Sequence, residues 1–239
     1  MILIAVLCQG APLVRVPFVG CKSDGQVGPL PAPKGTEKVV RIDAGTAQRL
    51  AYYRAGLGVL APRGWYCFEI YGSGGSTLFV SPQPIKGDEL FSSTWPGLTG
   101  PGILINYADG DTSGRDTVGR VIARVFPKRK AFVQNIIESD LGLASDFPFG
   151  PYPNDKLVYH GDRIVEYQTP AHSEGLGTMS PLQPSGDPIY GVAILEGDTP
   201  DLLLLTVRLP PDMHDLVSKI IQQVEREDAG SRSKATPQR

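Results

Sequence analysis

The sequence predicts an α+β fold, an antiparallel sheet built from hairpins and packed against several helices, and three observations carry that prediction. Aromatic and β-branched runs, Trp65 to Tyr71 and Ser76 to Val80, bracket the turn Gly72-Ser-Gly-Gly75, which is a hairpin signal. Two nearly continuous apolar runs, Ile189 to Leu195 and Leu202 to Leu209, flank the short turn Gly197-Asp-Thr-Pro200. Runs of that kind suit strands covered on both faces, and so short a connection makes them antiparallel neighbours. Between and after the hairpins lie stretches with the 3.6-residue period of amphipathic helices. Hairpins alternating with helices define α+β.

Residues 1 to 10 carry no charge and put a short apolar run before Cys8-Gln-Gly10. They read as a signal-peptide remnant without its basic region, cut after Gly10; the alternative is an ordinary buried strand over Ile2 to Leu7. Residues 11 to 36 are rich in Pro and Gly and are expected as an extended surface segment. Residues 37 to 228 are expected to form one α+β domain, and 229 to 239 a disordered polar tail.

Within the domain, Glu37 to Ile42 is a predicted strand. A helix follows over Ala44 to Leu57, capped by Asp43 and stopped at Gly56 or Gly58, and Gly58 to Pro62 is read as helix ending in a Pro turn. The first hairpin comes next, then a loop from Gly87 to Pro101 and a strand over Ile103 to Tyr107. Val118, Val121, Ile122 and Val125 repeat at helical spacing, so Arg115 to Phe126 is predicted helical, with Ser113 and Asp116 as a capping box. Phe132, Val133, Ile136 and Ile137 mark a second short helix. Leu157 to Tyr159 and Arg163 to Tyr167 flank His160-Gly-Asp162 as another hairpin, and residues 170 to 188 are irregular. The last helix carries Met213, Leu216, Val217, Ile220, Ile221 and Val224 on one face.

A net charge of −2 gives no pull toward nucleic acid or anionic lipid. No apolar stretch reaches the roughly 20 residues of a transmembrane helix. The 28 Gly and 22 Pro, about a fifth of the chain, exceed the ordinary share of about 12% and favour short strands joined by long loops. Three cysteines are present. If Cys8 leaves with a signal, Cys21 and Cys67 remain as an even pair, a disulfide in an oxidising compartment and two buried thiols in a reducing one. Phe18-Val-Gly-Cys21 is no lipobox, since Arg15 and Pro17 would interrupt its apolar region.

Gly56-Leu-Gly-Val-Leu-Ala61 spells a dinucleotide fingerprint but sits after a predicted helix and before Pro62, where its amides cannot face a pyrophosphate. Asp109, Asp111 and Ser113 occupy positions 1, 3 and 5 of a half EF-hand loop, making calcium a candidate cofactor, with Asp116 as a further carboxylate. Position 12 is Arg120 where the strongest ligand belongs, and an Asp/Gly turn before a helix explains the same residues. None of His160, His172 and His214 has zinc-motif spacing. His172, Ser173 and Glu174 lie in a Gly-rich loop, the best place for a hydrolytic site. Lys128-Arg-Lys130 reads as a solvated basic corner.

Pro62-Arg-Gly-Trp65, the hairpin ending in Leu78-Phe-Val-Ser-Pro82, and Leu202 to Pro210 leading into the terminal helix resemble the PsbP-like fold, a family of extrinsic photosystem subunits and exported bacterial relatives. The resemblance lies in the order of elements from Ala44 onward, with inserts at 83 to 102 and 140 to 188 departing from it. It implies an exported α+β domain and assigns no functional residue. The expected protein is therefore a periplasmic or secreted binding or assembly module of the bacterial cell envelope, working without a cofactor on an unidentified protein or small molecule. Two alternatives stand beside it: an exported hydrolase with its site in the 169–178 loop, and a calcium-stabilised structural protein.

Overall fold

The computed structural model describes residues 11–139 and 141–235, with side chains as far as Ser231. The leader-like residues 1–10 lie outside the described residues. The chain opens with β1 (Leu13–Gly20), turns at Cys21 into β2 (Lys22–Gly25), and comes back as β3 (Glu37–Arg41). Helix α1 (Ala44–Arg49) leads into the hairpin β4 (Leu50–Arg54) and β5 (Gly58–Pro62). A second hairpin, β6 (Tyr66–Gly72) and β7 (Gly75–Ser81), is followed by α2 (Gly87–Leu90) and β8 (Gly102–Ala108). Then come α3 (Arg115–Val125), α4 (Lys130–Glu138), β9 (Lys156–His160), β10 (Ile164–Thr169), β11 (Ile189–Glu196), β12 (Asp201–Arg208) and α5 (Val217–Ala235).

The strands form two sheets, a smaller one ordered β3-β1-β4-β5 and an eight-stranded one ordered β2-β6-β7-β8-β12-β11-β10-β9. Pairing is antiparallel except for β1 with β4 and β2 with β6. The large sheet is covered on both sides. One face packs on the small sheet and α5 through Leu78, Val80, Ile103, Ile105, Val192, Ile194 and Leu205. The other packs on α3 and α4 through Ala108, Ala193, Leu195, Leu202 and Leu204. Successive side chains of a strand point to opposite faces, so the unbroken apolar runs of β11 and β12 supply both cores at once, as expected for central strands.

Four expectations are corrected. Asp43 does cap α1, accepting from the Thr46 amide at 2.9 Å, but the helix ends at Arg49. Leu50, Ala51, Tyr52 and Tyr53 are all buried, and four consecutive buried positions suit a strand covered on both faces rather than a one-sided helix. The chain continues as β4, and Gly58 to Pro62 is its antiparallel partner. Residues 11 to 36 are extended as expected, yet they supply β1 and β2 to the two sheets and bury Val16 and Cys21, so the α+β unit begins well before residue 37. Gly114, not Ser113, caps α3, with no side-chain bond; a Cβ at Gly114 would lie 2.1 Å from the Gly74 carbonyl oxygen, and this close approach sets the turn. Finally, α5 runs on through 229 to Ala235 where a disordered tail was expected, and Ser231 Oγ donates back to the Glu227 carbonyl at 2.9 Å.

The segments that interrupt the strand order are clamped by one cation. Arg208, fully buried at the end of β12, donates to the backbone carbonyls of Leu98, Gly100 and Gln183. Burial lowers its pKa, opposed by the charge of Asp187. The clamp seats the 87–101 loop over a small apolar cluster, where Trp95 meets Phe79 edge-on at 5.8 Å.

Cys21 and Cys67 are disulfide-bonded across 46 residues. Closing a loop of that length should stabilise the fold by about 4 kcal/mol, measurable as the difference in urea unfolding between oxidised protein and the Cys21→Ser/Cys67→Ser variant. Arg208→Leu should leave the Gly100 and Gln183 carbonyls without this donor, and Leu98 with the Gln183 amide alone, and cost about 3 kcal/mol or more. Limited proteolysis should then cut within residues 87–101, and an uncut loop with unchanged stability would refute the clamp.

Candidate functional site

A groove of about 640 Å³ opens where the small sheet, the β8–β12 pair and α5 meet. Its walls come from four parts of the chain: Lys38 of β3, Tyr52 and Arg54 of β4, Tyr107 and Asp201 of the large sheet, and Glu227 and Asp228 of α5. The helix carries acids into this place because the apolar stripe continues past Val224. Positions i+3 and i+4 from it are Glu227 and Asp228, on the same face one turn further along.

Each acid is held by donors from another element. Tyr52 Oη donates to Glu227 Oε2 at 2.9 Å. Lys38 Nζ meets Glu227 Oε1 at 2.9 Å and lies 4.6 Å from the centre of the Tyr52 ring. Gln223 Nε2 also donates to Glu227 Oε1, at 3.0 Å. Opposite, Asp201 accepts from Tyr107 Oη at 2.8 Å and from the Gly110 amide at 3.0 Å. Asp228, whose side chain is 1% exposed, forms an ion pair with Arg163 at 3.7 Å. Burial, then the charge and hydrogen bond of Glu227, push the Tyr52 phenol far above its ordinary range. Burial and the Asp201 bond do the same for Tyr107. Both hydroxyls therefore remain protonated donors at physiological pH.

The groove is acidic. Glu196, Asp201, Glu227 and Asp228 line it against Lys38 and Arg54. Among the described residues Arg54 makes no ion pair and stands exposed at the rim. A carboxylate offers about four lone-pair positions, so Asp201, with two described donors, keeps acceptor capacity for a ligand. Gly58 is required beside it, since a Cβ there would lie 2.2 Å from the Tyr52 hydroxyl. The neighbouring β4–β5 turn is fixed from below by buried Glu69 of β6, which accepts from the amides of Gly56 at 3.1 Å and Leu57 at 2.9 Å.

The residues singled out in the sequence lie elsewhere. His172 and Glu174 are exposed, His172 has a φ of 58°, and Ser173 Oγ donates to the Ala171 carbonyl at 3.4 Å. Among the described residues no hydrogen bond joins the three. Their loop is anchored by Asp155, which accepts from Thr169 Oγ1 at 2.8 Å and from the Leu176 amide at 2.7 Å. Asp109 Oδ1 accepts from the Asp111 amide at 2.8 Å, an Asx turn of the kind that Asp/Gly segments form. Ser113 Oγ lies 3.2 Å from Ser73 Oγ, and Asp116 is paired with Arg120 at 2.7 Å.

No family model matches the chain, and neither a curated protein nor a solved structure matches it. Sequence reasoning missed the groove residues because strand aromatics ordinarily mean core. One signal was legible: two acids at Glu227 and Asp228 continuing an apolar helical stripe, where polar residues need partners.

Burial, opposed by the two amide bonds, raises the Glu69 carboxyl above its ordinary 4.5. Its contribution to stability is then full below the unfolded-state value and is lost as pH rises through the higher folded value. Glu69→Gln should cost more stability at pH 4 than at pH 7.5 in paired urea titrations. A cost that is flat or grows with pH would contradict this account.

Proposed function

We propose that the protein is an exported binding module of the bacterial cell envelope, periplasmic or secreted, and that the groove beside α5 takes its ligand, a small polar molecule bearing a cationic group. The observation that carries the reading is the acidic groove itself. Its size falls within the roughly 300–1,000 Å³ of small-molecule sites, and its polar groups converge from several elements. Tyr52 and Tyr107 offer rigid hydroxyls already oriented by carboxylates, and Asp201 offers the acceptor for an ammonium group. Export is supported by the Cys21–Cys67 disulfide, since such bonds persist in oxidising compartments, and by the leader-like composition of residues 1 to 10. The resemblance to the PsbP-like fold read from the sequence is in keeping with export.

The test is calorimetric titration of the oxidised protein with glucosamine, spermidine and lysine, and with glucose as the uncharged counterpart. Cationic ligands should bind and glucose should not. Asp201→Asn and Glu227→Gln should each weaken binding about tenfold, the worth of one charge-assisted hydrogen bond. Absence of binding by all three cations, or affinities untouched by both substitutions, would remove the groove as the ligand site.

A further inference from the structure

A second constellation lies where the β9–β10 hairpin meets α5. The strand register pairs Ile164 with His160 and Glu166 with Val158. His160, Ile164 and Glu166 therefore share one face of the sheet. It is the face turned toward α5, because Ile164 packs on the core beneath that helix while Val165 and Tyr167 enter the core on the other side. Glu225 reaches the same place from α5, one residue beyond the buried Val224. One ligand atom each from His160, Glu166 and Glu225 lie within 4.8 Å of one another, and His160 Nε2 is 2.7 Å from Glu166 Oε1.

We propose that His160, Glu166 and Glu225 bind one divalent transition-metal ion of zinc's chemistry, with water completing the coordination. An imidazole–carboxylate ion pair alone accounts for two of the three groups and leaves the second carboxylate in the same space in excess. A divalent cation balances two carboxylates and a neutral imidazole. Ligand bonds of about 2.0–2.2 Å place tetrahedral ligand atoms about 3.3 Å or slightly more apart, so the 2.7 Å His160–Glu166 contact must open slightly and any wider separation, within the 4.8 Å limit, must close. These movements fall on side chains free to make them, since His160 and Glu166 are 48% and 36% exposed. The imidazole sets the metal class: nitrogen suits zinc and its neighbours, whereas calcium and magnesium take oxygen. The three ligands come from two strands and a helix, so the ion would tie the edge hairpin of the large sheet to α5.

The test uses the full, oxidised, tag-free chain after treatment with a chelator. Titration with ZnCl₂ by calorimetry, and with CoCl₂ by visible absorption, should show one equivalent bound and the ligand-field bands of a low-coordinate cobalt site. His160→Ala and Glu225→Gln should each weaken binding at least about tenfold, with circular dichroism confirming that both variants fold. His172→Ala and His214→Ala should bind as the wild type does. A wild type that binds no zinc at millimolar concentration, or an affinity unchanged in both ligand variants, would overturn the proposal.

Discussion

The bond between Cys21 and Cys67 joins the two sheets at the point where the chain itself passes from one to the other. Cys21 is 1% exposed; its amide donates to the Arg54 carbonyl of β4 at 2.7 Å, and its sulfur is bonded to β6 of the large sheet. One residue is thus tied by backbone to the smaller sheet and by side chain to the larger. The core shared by the two sheets and α5 depends on that geometry, because β1 and β2 are the first strands of separate sheets and only residue 21 stands between them. Without the crosslink the unfolded chain would have to close this contact at its full entropic cost.

The groove follows from the same arrangement. Two sheets with natural twist do not close flush against each other along their whole length, and α5 fills the gap with an apolar stripe as far as Val224. Beyond it the stripe turns acidic, and the gap stays open as a polar groove. Burying carboxylates is costly unless they are paired and hydrogen-bonded. Lys38, Tyr52, Gln223, Tyr107 and Arg163 supply those partners from five elements or loops. The acids that open the groove therefore also hold α5, β3, β4 and the large sheet in register around it.

Buried and half-buried polar groups elsewhere act as fasteners for irregular chain. Glu69 holds the β4–β5 turn, Asp155 the loop around His172, and Arg208 the inserts at 87–101 and 181–188. Glu69 satisfies two backbone amides and Arg208 three backbone carbonyls, while Asp155 takes one backbone amide and one side-chain hydroxyl. That is an economical way to hold segments with few apolar residues against a sheet, and it suits a chain with so much Gly and Pro.

Local pattern was enough for the α+β class, the three hairpins β6–β7, β9–β10 and β11–β12, and helices α3, α4 and the core of α5, because each rests on a period of 2 or 3.6 residues in a contiguous stretch. The Cys21–Cys67 pairing followed from counting cysteines once export was assumed. Pattern failed at Leu50 to Tyr53, since four apolar residues fit a short helix or a buried strand equally well and the deciding partner, β1, lies some thirty residues upstream. It failed at the N-terminal segment for the same reason: the strands there are defined by what they pair with. Neither the groove nor the His160–Glu166–Glu225 constellation is contiguous in sequence. Their residues come together only when β3, β4, the β8–β12 pair and the β9–β10 hairpin are brought against α5, so tertiary structure alone decided that these groups meet.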